Sequence, residues 1–413
     1  MDKRGFSTKI IQTDYLKKDA HNSLQMPIYS NAAFEFETAE AMELAFQGKS
    51  PDHSYSRISN PTVENYEQRV RSITGALAVT ALSSGMAALS NTFLVIAKAG
   101  DNIITSSHLF GNTYSFFTST MAAFGVETRM VDFNNPEEIK SNIDKNTIAL
   151  FFETITNPQL EIVDIKKLSE IAIENNLLLI ADSTLTPPNI FNGANFGVNI
   201  EILSGTKIIS GGGTSIGGLI IDHGNFNWSN ISKLKDHSKK FGPFAFNMKL
   251  RKEILRNIGA CLSPFNAYFQ SLGLETLDLR YERAAQNSCI IAEFLNSNSK
   301  IKQVNYSGLA NNLSHDLAFC QFGKYPLALL TFNLGSRSEC FSFMNALKLI
   351  HRATNVYDNR TLIIHPASTI YCDFTPEMRK SVDVADTLIR LSPGIEDCDD
   401  IILDIKEALA TLN

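Results

Sequence analysis

The sequence predicts an α/β protein, with a mainly parallel sheet covered by helices on both faces and a smaller α/β unit after it. Three observations carry that expectation. Between about residues 75 and 222, short apolar runs alternate with segments of helical periodicity. Those runs are continuously apolar, as strands buried on both faces must be. From about Arg256 onward the pattern becomes more helical.

Taken in order, LSSGMAAL (82–89) supplies a small-residue entry into a helix. TIALFFETI (147–155) reads as a buried strand. In the following DIKKLSEIAIENN, Ile165, Leu168 and Ile171 recur at helical spacing behind Asp164, a candidate N-cap. LLLIADS (177–183) and NIEILSG (199–205) are two further short strands. In such sheets ligands gather at the carboxyl ends of strands, and Asp182 and Lys207 both sit there. SPFNAYFQSLGLETLDLRYERAAQNSCIIAEFL is helical in pattern, and the closing DDIILDIKEALATL places Ile401, Ile405, Ala408 and Leu412 on one face. The expected organisation is an extended arm over 1–55 contacting a partner subunit, a large domain over 56–256 and a C-terminal domain over 257–413.

The chain has 413 residues, 44% hydrophobic and 19% charged, with net charge −6. Lys and Arg are scattered, which argues against a nucleic-acid partner. No apolar run approaches the roughly 18–20 residues that span a bilayer. The start, MDKRGFSTKIIQTDYLKKD, lacks the apolar core of a signal peptide, so a cytoplasmic protein without a membrane partner is expected. Six cysteines without a CxxC pair read as reduced thiols, and eight histidines without HExxH give no support for a metal centre.

The stretch SGTKIISGGG (204–213) concentrates the chemistry. Six of the chain's 23 glycines fall between Gly205 and Gly218, around a single lysine, Lys207. By composition alone a lysine is most often a solvated surface residue. Here its neighbours shift the balance: Ser204 and Thr206 offer hydroxyls suited to phosphate, and the glycines let backbone approach a ligand. A Walker-type loop is excluded, because GxxxxGK[ST] is absent and the lysine precedes the glycine run. An aldehyde cofactor carrying a phosphate, pyridoxal 5′-phosphate (PLP), fits better. It requires a lysine amine of lowered pKa and an anion beside its ring nitrogen. Asp182 ends the preceding strand and is the candidate anion, with a turn or N-cap role as the plainer alternative.

With these residues in place, the chain resembles the PLP-dependent Cys/Met metabolism enzymes, the transsulfuration family of fold-type I. The matching pieces are YSRISNPT (55–62), SSGMAA (83–88), HLFGNTYSFF (108–117), FETITNPQLEIVDI (152–165), IADSTLTPP (180–188), SGTKIISGG (204–212) and IRLSPGIEDCDDI (389–401). They occur in the family's order over almost the whole chain. The resemblance implies that Lys207 bonds the cofactor aldehyde and Asp182 its pyridinium. It further implies that Gly85 and Met86 hold the phosphate through their backbone, joined by Ser204 and Thr206. Tyr55 and Arg57 would reach a neighbouring subunit's phosphate, giving active-site-sharing dimers within a homotetramer. Arg390 would grip the substrate α-carboxylate, and Glu153 and Asn157 would lie beside the cofactor.

Within that family the resemblance points to the O-acetylhomoserine sulfhydrylase branch, through LRNIGACLSPFNAYFQSLGLETLDLRYER (255–283) and ATNVYDNRTLIIHPAST (353–369). Asn355 stands where lyases and cystathionine synthases commonly have serine. Phe110 replaces a ring-stacking tyrosine, which keeps the stacking face and removes its hydroxyl. Asn112 stands where methionine γ-lyases typically have cysteine. Tyr357 occupies a usual glycine position, and Ile370 and Tyr371 replace Thr-His; these substitutions are expected to border the pocket. The implied reaction converts an amino-acid ester, O-acetyl-L-homoserine, and a sulfur donor to L-homocysteine and acetate in methionine biosynthesis. O-succinylhomoserine sulfhydrylase, cystathionine γ-synthase and methionine γ-lyase activities remain alternatives on the same scaffold. So do two sulfur sources, free sulfide and a carrier protein, and a binding-only protein that kept the phosphate loop and lost the chemistry.

Overall fold

A computed structural model describes residues 4–13, 19 and 21–412. Residues 1–3, 14–18 and 20 of the expected arm, and residue 413, lie outside the described residues. The large sheet contains β1 (Ala78–Leu82), β2 (Asn102–Thr105), β3 (Glu127–Met130), β4 (Thr147–Glu153), β5 (Leu178–Asp182), β6 (Ile200–Leu203) and β7 (Gly218–Asp222). Their spatial order is β1-β7-β6-β5-β4-β2-β3. Pairings from β3 through β6 are parallel, whereas β7 runs antiparallel to both β1 and β6.

Alternate residues explain why these strands read as continuous apolar runs. Leu150, Phe152, Leu179 and Ala181 enter one core, while Ala149, Phe151, Leu178 and Ile180 enter the core on the opposite face. Both faces are therefore sealed, and only strand ends meet solvent or ligand. Asp164 caps the helix Ile165–Glu174 as expected, its side chain accepting from Lys167 N at 3.2 Å.

A second, five-stranded sheet contains β8 (Gln303–Asn305), β9 (Leu330–Asn333), β10 (His351–Arg352), β11 (Leu362–Ile364) and β12 (Leu388–Ser392), in the order β10-β11-β12-β9-β8. The helix Pro264–Glu275 packs against the helix Pro61–Thr74 and the turn after Lys207, tying the later chain to the large sheet. The closing helix Cys398–Ala410 buries Ile401, Ile405 and Ala408. Among the described residues no helix is long and apolar enough to cross a membrane, and no group of three or more His, Cys, Asp or Glu is placed to hold a metal ion.

Asp164→Ala is expected to lower stability by about 1 kcal/mol by leaving a first-turn N–H without its cap. A urea unfolding midpoint indistinguishable from wild type would show the cap to be idle.

Candidate active site

The carboxyl ends of β4, β5 and β6 open into a cavity of about 700 Å³. Lys207, Asp182, Glu153, Asn157, Ser204, Thr206, Gly85, Met86, Phe110 and Arg390 all line it. They come from segments more than 300 positions apart in the chain.

Glycines permit this convergence. A Cβ on Gly218 would lie 2.0 Å from Ser84 O, and one on Gly85 would lie 2.9 Å from Ser204 Cβ. The helix start at Gly85 thus rests on both β7 and the loop carrying Lys207. Ser84 caps that helix by accepting from Ala87 N at 3.0 Å, and the first-turn N–H groups of Gly85 and Met86 have no partner within the helix. Such a helix start could receive an anionic group of a ligand.

Lys207 follows β6, with its Nζ donating to Asn355 Oδ1 at 2.8 Å. Burial, reinforced by the Arg390 charge and opposed by Asp182, lowers its amine pKa to about 8. Asp182 is held from behind: Thr184 N donates to its Oδ1 at 2.9 Å, and Thr184 Oγ1 accepts from Ser204 N at 3.0 Å. Burial raises the Asp182 pKa, while the Thr184 bonds and Lys207 pull it back. Glu153 lies directly across from Asp182 in the β4–β5 register, and its Oε1 accepts from Phe110 N at 2.6 Å. Burial first and the Asp182 charge second push Glu153 well above the ordinary carboxyl range. Asp182 is thus the better placed of the pair to carry charge, because the Thr184 bonds and Lys207 favour its ionised form and the Asp182 charge opposes that of Glu153.

Arg390, on β12, is 3% exposed. Its Nη1 donates to Asn157 Oδ1 at 2.9 Å and its Nη2 to Asn355 O at 3.2 Å. Among the described residues no carboxylate pairs with it, and burial lowers its pKa to about 10. A buried guanidinium with only neutral partners, facing a cavity, is suited to a carboxylate ligand.

Several residues differ from the sequence expectation. Tyr371 and Tyr357 do not border the cavity. Tyr371 is 1% exposed and donates to Leu109 O at 2.9 Å and Asn157 O at 3.2 Å. Tyr357 is fully buried and donates to Leu185 O at 2.8 Å. Both stand one layer back, each with its hydroxyl bonded to the backbone of an adjacent loop; Val356, Ile370 and Cys372 form the wall instead. The Thr206 hydroxyl is already engaged with Gly217, donating to its O at 3.2 Å and accepting from its N at 3.1 Å. Tyr55 and Arg57 lie outside this chain's cavity, with the Arg57 guanidinium over the Tyr55 ring at 5.5 Å. Asn355 links the two cations, its Oδ1 accepting from Lys207 Nζ and its backbone O from Arg390 Nη2. Thr184 was not anticipated; the ST motif directly after Asp182 was the signal for it.

Comparison with known proteins matches residues 7–410 to the sequence profile of the Cys/Met metabolism PLP-dependent enzymes. The O-acetyl-L-homoserine sulfhydrylase of Corynebacterium glutamicum is 35% identical, covering 100% of this chain and 98% of its own. The O-acetylhomoserine sulfhydrylase structure from Wolinella succinogenes is 44% identical over 86% of this chain and 98% of its own, with a TM-score of 0.76. A Campylobacter jejuni crystal structure carrying a pyridoxyl-lysine phosphate superposes with a TM-score of 0.95 at 32% identity, covering 99% and 100% of the two chains.

In the cofactor-free chain, labelling of Lys207 by a small amine-directed reagent, followed by mass spectrometry, is expected to have its midpoint near pH 8. Arg390→Gln removes a neighbouring cation and should move that midpoint upward. A midpoint in the ordinary lysine range for the unaltered chain would contradict the assigned environment.

Proposed function

Because this chain belongs to the Cys/Met metabolism PLP-dependent enzyme family, we propose that it catalyses γ-replacement on O-acetyl-L-homoserine, with sulfide giving L-homocysteine and acetate. The observation that carries the reading is a lysine amine of lowered pKa and a buried, carboxylate-free arginine in one cavity. The first suits an aldehyde, the second a substrate α-carboxylate.

The residues present fit the cofactor. Lys207 would hold its aldehyde, Asp182 its ring nitrogen and Phe110 its ring face. Gly85, Met86 and Ser204 would hold its phosphate, with Thr206 joining if its hydroxyl turns from Gly217. When bound, PLP supplies an aldehyde that captures an amine and a protonated ring that draws electrons from the substrate Cα. Tyr55 and Arg57 of a second copy would complete the phosphate end, which would make the working unit a dimer within a proposed homotetramer. The proposed location is the cytoplasm and the proposed context methionine biosynthesis.

Arg390 and Asn157 orient the substrate by its carboxylate, placing Cα toward Lys207. The Lys207 amine, released to the substrate's side, removes the Cα proton and then relays a proton from Cβ as acetate leaves Cγ. Hydrosulfide forms the new bond at Cγ in place of the departed acetate, and Lys207 returns the protons to Cβ and Cα. Phe110 has no hydroxyl for proton transfer, so Lys207 carries it. The apolar wall of Leu89, Ile155, Leu185, Val356 and Ile370 limits water at the reacting carbons. Among the described residues that line the cavity, Lys207 and Arg390 are the cations. Both are committed, which favours an uncharged acetyl leaving group over a succinyl group carrying a second carboxylate. Asn112 lines the cavity where a γ-lyase would place cysteine, which favours replacement over elimination.

The test is product identification with O-acetyl- and O-succinyl-L-homoserine, each with and without sulfide, and with dilute sulfide to expose any need for a carrier protein. Homocysteine from the acetyl ester with free sulfide is expected. Lys207→Ala should lose the borohydride-sensitive visible band and at least roughly a thousandfold in kcat/KM; unimpaired turnover would overturn the assignment.

A further inference from the structure

The turn at 355–359 docks on the glycine run of the lysine loop. Asn359 Nδ2 donates to Gly211 O at 2.9 Å. A Cβ on Gly213 would lie 2.5 Å from Asp358 Oδ2 and 3.1 Å from Asn355 Nδ2, so the glycine leaves the space those side chains fill. Within the turn, Asn355 Nδ2 donates to Asp358 Oδ2 at 3.4 Å, while Asn355 Oδ1 accepts from Lys207 Nζ at 2.8 Å. Asp358 is anchored on its other oxygen by Arg360, through N at 3.1 Å and Nη1 at 3.3 Å.

The two ends of an amide are chemically opposite. With oxygen toward Nζ, Asn355 can only accept, so it engages an amine N–H and leaves the nitrogen lone pair free. With nitrogen toward Nζ, it would donate to that lone pair and block it. A carboxylate at Asp358 favours the first orientation, since the flipped amide would set its oxygen against Asp358 Oδ2.

We propose that Asp358 is a positioning residue: acting through Asn355, it presents the amide oxygen to Lys207 and keeps the amine lone pair available to take a proton. The proposal rests on the reading of Lys207 as the base. The charged groups facing Lys207 from other elements are Arg390 on β12 and Asp182 at the end of β5. Arg390 reaches Asn355 through the backbone oxygen, so its contact is independent of the amide's orientation.

A double-mutant cycle on the full-length protein tests this, using Asp358→Ala, Asn355→Ala and the pair. In the holoenzyme the readout is loss of deuterium from Cα of L-norleucine, which has no leaving group and reports proton removal apart from ester or sulfur donor. In the cofactor-free chain it is the rate at which the visible band grows when PLP is added. Asp358→Ala should slow both by roughly tenfold, and the pair should be no slower than Asn355→Ala alone. Asp358→Asn retains an acceptor and should recover most of the loss. Additive losses, or an unchanged Asp358→Ala, would overturn the relay while leaving the function standing. Deuterium loss surviving in Lys207→Ala would overturn the base assignment and the relay together.

Discussion

Glycine backbone lies against neighbouring chain at three places around the cavity, and that closeness is the constraint on which the site depends. Gly218 admits the helix start at Ser84 and Gly85, Gly85 admits Ser204, and Gly111 admits the carbonyl of Ile370, 2.9 Å from where its Cβ would be. Each contact brings a different part of the chain to the carboxyl ends of β4–β6. Any side chain at these points would have to displace backbone or, at Gly85, the Ser204 Cβ, neither of which can give by a rotamer change. The glycines of the lysine loop therefore serve the packing of neighbouring segments as much as any approach to a ligand.

Charge then distributes within the space so formed. Glu153 and Asp182 face each other on adjacent strands, Lys207 and Arg390 stand opposite, and all four are desolvated. Each ion alone would be strongly disfavoured. The arrangement favours the neutral form at Glu153, whose ionisation burial and the Asp182 charge both oppose, more than at Asp182, which has Lys207 and the Thr184 bonds to support its charge. Arg390 cannot neutralise at any ordinary pH, so its buried charge persists in want of an anion. A buried guanidinium held by neutral partners is in turn well suited to a carboxylate ligand.

Much of this was legible in the sequence, for local reasons. The continuous apolar runs located β4, β5 and β6, Asp164 announced its helix, and Asp182 and Lys207 lay where strand ends must lie. The resemblance to a family brought Arg390 and Asn157 together across 233 positions, which periodicity alone could not do. What remained hidden depends on the competition among neighbours for hydrogen bonds. Thr206 turns to Gly217 because both backbone groups of that glycine are within reach. Asp358 acts, in the proposal above, through a contact across the docked turn, and nothing in VYDN marks it apart from a surface acid. Tyr357 and Tyr371 read as pocket residues because their neighbours in sequence are.

The positions of those two tyrosines bear on how far they can alter chemistry. Tyr357 has a left-handed backbone, φ +56°, at a place where the family commonly uses glycine. Such a conformation costs a non-glycine residue about 1–3 kcal/mol. Burying the ring contributes about 2 kcal/mol in return, and the phenol bond to Leu185 O about 1 kcal/mol more, so the tyrosine can be accommodated without net loss. Tyr371 similarly fastens the carbonyls of Leu109 and Asn157, the residues beside Phe110 and beneath Arg390. Neither hydroxyl reaches the cavity, so neither can substitute for the phenol missing at Phe110. Their effect is to fix the loops that present Leu185, Phe110 and Asn157, and in the proposed reaction proton transfer is then left to Lys207.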